Sequence, residues 1–94
     1  MADEKKKKNL VDAFLSLENE DLCRRFLIDI TTPKEFKDLS DRFDVARLLY
    51  EGKTYEKIIE ETGMSSTTIA RINRTLHYGE DGYKEVLDKI NDTD

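Results

Sequence analysis

The chain has 94 residues, 39% of them charged and 37% hydrophobic, with a formal net charge of −5, one Pro, four Gly and no Trp. A chain this short forms one small domain that hides only about 60–65% of the surface its unfolded form exposes, so its core is thin and oligomerisation is one way to complete it. A single cysteine, Cys23, excludes an internal disulfide, no Cys/His spacing suits zinc, and no run of about eighteen apolar residues exists to span a membrane. MADEKKKK leads into no apolar segment with a cleavage site, and the expectation is a cytoplasmic protein without metal or cofactor.

Lys5 to Lys8 form a basic run with no apolar partner, which reads as a flexible N-terminal tail over residues 1–8 ahead of a single helical domain over 9–92. From Leu10 the pattern is helical: Leu10, Val11, Phe14, Leu15 and Leu17 make one stripe, and Asn19 offers a cap before a second stripe of Leu22, Phe26, Leu27 and Ile30. Cys23 lies beside that stripe as a small packing residue, since the lone His77 is too far along the chain to suggest a catalytic pair.

A third helix is expected from Thr32, where Pro33 suits the first turn and Glu35 completes a capping box. Phe36, Leu39, Phe43, Ala46 and Tyr50 advance in steps of three and four, and Val45, Leu48 and Leu49 widen the stripe, so this helix should be buried on more than one side until Gly52 stops it. Thr54 then caps a fourth helix with Ile58 and Ile59 facing inward, and Gly63 breaks it. Ser65 or Ser66 caps a fifth helix anchored by Ile69, Ile72 and Leu76 and ended near Gly79. A sixth takes Tyr83, Val86, Leu87 and Ile90, with residues 91–94 fraying.

The two helices around Gly63 have the spacing of a helix-turn-helix over about residues 54–77. Counting Tyr55 as the first position, Gly63 falls at the ninth, where a sharp turn needs positive φ. Met64 plugs the corner, and Ile69 and Ile72 fall at the fifteenth and eighteenth. That arrangement buries the inner face of the second helix and projects Ser65, Ser66, Thr67, Thr68, Arg71 and Arg74. Hydroxyls can bond base edges or phosphates, a methyl can pack on thymine, and arginine can grip guanine or phosphate with two donors.

Net acidity argues against nucleic acid in general, but here distribution matters more than total. Over residues 53–77, Lys53, Lys57, Arg71 and Arg74 meet Glu56, Glu60 and Glu61, a local balance of +1, and no acid follows Gly63 until Glu80. With few basic groups per chain, two copies on paired half-sites would give usable, salt-sensitive binding to double-stranded DNA.

The stretch TPKEFKDLSDRFDVARLLYEGKTYEKIIEETGMSSTTIARINRTL, with its Thr-Pro start, its LL-x-x-G helix end and its Gly-x-x-x-x-x-I-x-R segment, resembles the Trp repressor family, and within it the YerC/YecD-like subgroup. The resemblance implies an all-α, six-helix fold and an intertwined homodimer. It also implies a sequence-specific transcriptional regulator, a repressor by analogy, with Ser66, Thr67, Thr68 and Ala70 at the DNA-reading positions.

The family's effector-pocket positions fall on Thr32, Arg42, Arg71 and Thr75. However, Ile72 stands where the family has a glycine and Asp29 where it has a leucine. An isoleucine there fills the space an indole ring would take, so L-tryptophan is not the expected effector. A second class of function is a helical dimer serving as a protein–protein interaction module without DNA. An enzyme is not expected, because Cys23, His77 and the scattered carboxylates form no acid–base or nucleophile arrangement.

Overall fold

The computed structural model describes residues 1–92, which form six helices: α1 (Ala2–Leu15), α2 (Glu20–Ile30), α3 (Pro33–Tyr50), α4 (Tyr55–Thr62), α5 (Ser66–Tyr78) and α6 (Gly82–Asp92). No strand occurs among the described residues. The chain divides into two compact units, Met1–Phe36 and the chain from Lys37 onward. The division follows from burial: every fully buried hydrophobic side chain lies at or beyond Val45, and α1 and α2 bury none.

In the first unit, α1 begins at Ala2 rather than near Leu10, so the lysine run expected as a tail is helical. Lysine is a good helix former, and Asp3 and Glu4 sit in the first turn where the helix dipole favours acids. Lys7 pairs with Glu4 at 3.6 Å and Lys8 with Asp12 at 2.8 Å, spacings that support an exposed helix weakly. The Asn19 cap holds as expected, its side chain accepting from the Leu22 N–H at 2.8 Å. Phe14 and Phe26 meet edge to face at 5.5 Å between centroids. Thr32 and Glu35 form the reciprocal capping box: Thr32 N–H donates to Glu35 Oε1 at 2.8 Å, and Glu35 N–H donates to Thr32 Oγ1 at 3.1 Å.

The second unit holds the core. Val45, Ala46 and Leu48 of α3, Ile58 of α4, and Ile69 and Ile72 of α5 form one buried cluster, against which Leu49, Met64 and Tyr83 pack. Complete burial of a side chain such as Ile58 or Ile69 contributes about 1.5–3 kcal/mol each. Of the broad α3 stripe, Leu39 and Tyr50 remain exposed, as do Val86 and Ile90 of α6. The Tyr50 hydroxyl donates to the Asp88 carboxylate, linking α3 to α6.

Ile59 corrects the sequence reading: it was expected to face inward and is 40% exposed. It follows Ile58 by about 100° around a helix of only eight residues, so burying one turns the other outward. Asn91 and Asp92 close α6 as helical residues instead of fraying, and Thr93 and Asp94 lie outside the described residues.

Candidate nucleic-acid interface

The turn between α4 and α5 is set by local chemistry at both ends. Thr54 caps α4 by accepting from the Lys57 N–H at 3.2 Å. Gly63 ends it at φ +73° and ψ 5°, its N–H donating to the Ile59 carbonyl at 2.8 Å, a left-handed geometry that favours glycine. The Thr62 hydroxyl donates to the Ile58 carbonyl at 2.7 Å and accepts from the Met64 N–H at 3.1 Å, so the corner leaves Met64 half-buried against the core. Ser65, not Ser66, caps α5, accepting from the Thr68 N–H at 3.2 Å.

The α5 residues then divide by helical angle. Ile69, Ile72 and Leu76 are buried, and Ser66, Thr67, Ala70, Arg71 and Arg74 are exposed. Thr67, Arg71 and Arg74 are separated by four and three residues, which places them on one outward stripe. Among the six helices only α5 has no acid in its first turn, so its N-terminal N–H groups keep their partial positive charge uncompensated.

Two of the sequence candidates sit differently from the rest. Thr68 is half-buried, and the Ser65 and Thr68 hydroxyls lie 3.0 Å apart in a hydrogen bond. Both are therefore engaged in capping. At the other end of α5 stands a residue that sequence reasoning passed over: Tyr78, 85% exposed, the last residue of the helix and next to His77. Its place four residues after Arg74 was the available signal.

Three of the four effector-pocket candidates come together. Arg42 from α3 and Arg71 and Thr75 from α5 line one cavity of about 370 Å³ with Thr68, Ile72 and Tyr83. Thr32 is not among its lining residues and serves as the cap of α3. Ile72 is 5% exposed, so it anchors the core and also forms part of the cavity wall. Tyr83 belongs to the apolar stripe of α6, which is why the sequence marked it only as core. Among the described residues, no helix is long and apolar enough to cross a membrane.

Comparison with known proteins agrees with this geometry. The sequence matches the family model of the Trp repressor protein over residues 5–91. It is 45% identical over 85 residues to the uncharacterized protein YerC of Bacillus subtilis (strain 168), an alignment covering 90% of this chain and 82% of that one. A TrpR-like protein from Eubacterium eligens ATCC 27750 superposes with a TM-score of 0.87 at 42% identity, covering 93% of this chain and 90% of that one. A candidate Trp repressor from Staphylococcus aureus gives 0.86 at 40% identity, covering 93% and 87%. The six-helix chain with its α4–α5 turn is a member of the Trp repressor family, in its YerC-like subgroup, and so of a family of DNA-binding regulators rather than enzymes.

Proposed function

We propose that this protein is a sequence-specific transcriptional repressor of the cytoplasm that reads double-stranded DNA as a homodimer and does not depend on tryptophan. The observation that carries the reading is the sidedness of α5. Ile69, Ile72 and Leu76 fix one face in the core, and Ser66, Thr67, Ala70, Arg71 and Arg74 stand exposed on the rest. A helix held this way can enter the major groove, with Ala70 and the Thr67 methyl against thymine and Arg71 and Arg74 on guanine or phosphate. Ser65 takes the Thr68 N–H in capping α5, and the earlier N–H groups of the first turn are left to meet a backbone phosphate.

Dimer formation is supported by the apolar surface of the first unit. Leu10, Val11, Phe14, Leu15, Ile28 and Ile30 are each between 43% and 78% exposed, an apolar excess that a second chain would cover. Independence from tryptophan is supported by Ile72, whose side chain occupies wall space that an indole would need.

The test is selection of bound DNA from a random pool, followed by fluorescence anisotropy on the enriched site. An enriched palindrome is expected, because two-fold symmetric readers select two-fold symmetric sites. The double variant Arg71→Ala with Thr67→Ala should bind it about a hundredfold more weakly, as expected from losing an arginine contact of about 1–3 kcal/mol and a neutral hydrogen bond of about 0.5–1.5 kcal/mol. Unchanged affinity in that variant would overturn the reading of α5. With about six to eight phosphate contacts per dimer, affinity should fall by about three to four powers of ten between 50 and 200 mM salt. A protein–protein module burying apolar surface would show no such dependence.

A further inference from the structure

The joint between α5 and α6 pairs two residues in a way that the rest of the chain does not repeat. Asp81 is the only aspartate followed by glycine. Among the described residues it is also the only non-glycine residue with a positive φ, at +63°, and both it and Gly82 are exposed. Its carboxylate enters no hydrogen bond or ion pair among the described residues. Gly82 opens α6, where a helix leaves its first N–H groups without an internal partner, and among the described residues its N–H finds none elsewhere. A Cβ built on Gly82 would meet nothing within 4 Å, so the space around that nitrogen is open.

These are the conditions for a reaction of the chain with itself. A backbone nitrogen attacks the side-chain carbonyl of the preceding aspartate only if it is unbonded, unshielded by its own side chain and able to swing toward Cγ. Asp12, Asp29, Asp41, Asp44 and Asp88 stand inside helices, where the next N–H is committed to a carbonyl four residues back and ψ is fixed. Each is also followed by a residue with a side chain. At Asp81 the rotation costs the bond that the Glu85 N–H donates to the Asp81 carbonyl at 3.0 Å, and that bond lies at a helix end, where helices fray.

We propose that Asp81–Gly82 is a site of spontaneous modification, at which aspartate is converted to isoaspartate through a cyclic imide. The Gly82 nitrogen bonds to Asp81 Cγ and gives up its proton, and the protonated carboxyl gives up its hydroxyl, so one water leaves as the ring closes. Water then adds back. Attack at Cγ restores aspartate. Attack at the main-chain carbonyl breaks that carbonyl's bond to the Gly82 nitrogen, and the chain then runs through Cβ and Cγ with the former backbone carbonyl as a free carboxylate. Atoms and electrons balance: nothing is oxidised, and water is the only co-reactant. The main chain gains a methylene, and the carbonyl that accepts from the Glu85 N–H leaves the helix path. Isoaspartate therefore loosens the start of α6, beside Tyr83, which packs on the core. The joint is exposed, so an enzyme that methylates isoaspartyl carboxylates from a sulfonium donor can reach it.

The test is storage of the full chain for weeks at physiological temperature and neutral pH, then digestion with an endoproteinase that cuts before aspartate and mass spectrometry of the peptides. Cleavage before Asp81 should be lost progressively with no change in mass, and a minor species lighter by one water should accompany the loss. An isoaspartate-specific carboxyl methyltransferase should label the uncut peptide. Cleavage before Asp12, Asp29 and Asp44 should be retained. Gly82→Ala should keep its cleavage before Asp81, because the added methyl shields the nitrogen. Open space at that position and the helix propensity of alanine should let this variant fold. Asp81→Asn reaches the same imide by losing ammonia and should convert faster than the parent, which keeps a second variant in play.

Storage in urea separates the structure from the dipeptide. The folded chain should convert at a rate comparable to the unfolded one, because the joint needs no unfolding to react. In hydrogen exchange, the converted chain should lose protection at the Glu85 amide, whose acceptor has moved. Conversion confined to urea, conversion at another aspartate ahead of Asp81, or equal conversion in the parent and Gly82→Ala would overturn the proposal. Unchanged protection of Glu85 in the converted chain would overturn the loosening of α6.

Discussion

Gly63 offers a direct test of the turn that positions α5. It holds φ +73°, and a Cβ built on it would meet nothing within 4 Å, so any cost of a side chain there is backbone strain and not crowding. An L-residue in the left-handed region costs about 1–2 kcal/mol, and replacing glycine stiffens the unfolded chain by about 0.4–1 kcal/mol in the stabilising direction. Gly63→Ala should therefore destabilise by about 1 kcal/mol net. Gly63→Asn should cost less, since asparagine visits that region more readily. Urea unfolding followed by circular dichroism measures both, at one fixed protein concentration because self-association would couple to the midpoint. An alanine variant as stable as the parent, or an asparagine variant as damaged as the alanine one, would show that the left-handed backbone is not what glycine supplies.

Gly79→Ala makes the complementary case. Its φ is negative, but a Cβ would stand 2.5 Å from the Thr75 carbonyl oxygen and 3.1 Å from the Thr75 Cγ2, so crowding should cost about 1–3 kcal/mol and lower the thermal midpoint. Thr54→Ala removes the acceptor for the Lys57 N–H and should cost about 1 kcal/mol in urea unfolding, with Thr54→Ser restoring most of it. Ile58→Ala, at a fully buried site, should lose about 2–5 kcal/mol, whereas Ile59→Ala, at a 40% exposed one, should stay within about 0.5 kcal/mol. Near-equal losses at the two isoleucines would refute the assigned face of α4.

Element order and helix boundaries were legible in sequence wherever a local signal existed. The Asn19, Thr32–Glu35, Thr54 and Ser65 caps and the stops at Gly52, Gly63 and Gly79 each depend on hydrogen bonds or dihedrals within four residues, and each appears where its residue type allows it. The start of α1 was not legible, because lysines carry no apolar periodicity to mark a helix and it is their propensity and their pairs with Glu4 and Asp12 that extend it. The same limit misassigned Ile59: an apolar pair at adjacent positions fits an inward stripe on paper, and only the packing of α4 decides which member turns out.

The sequence by itself determined that the chain is helical, where its helices stop, and that a helix with an acid-free first turn follows Gly63, because caps, turns and periodicity are written over a few residues. Tertiary structure alone decided which face of α5 is buried and which side chains remain exposed on it. It alone brought Arg42 and Arg71, twenty-nine positions apart, to one cavity. Those outcomes depend on how α3, α5 and α6 pack together, and no spacing rule along the chain carries the geometry between helices so far apart in sequence.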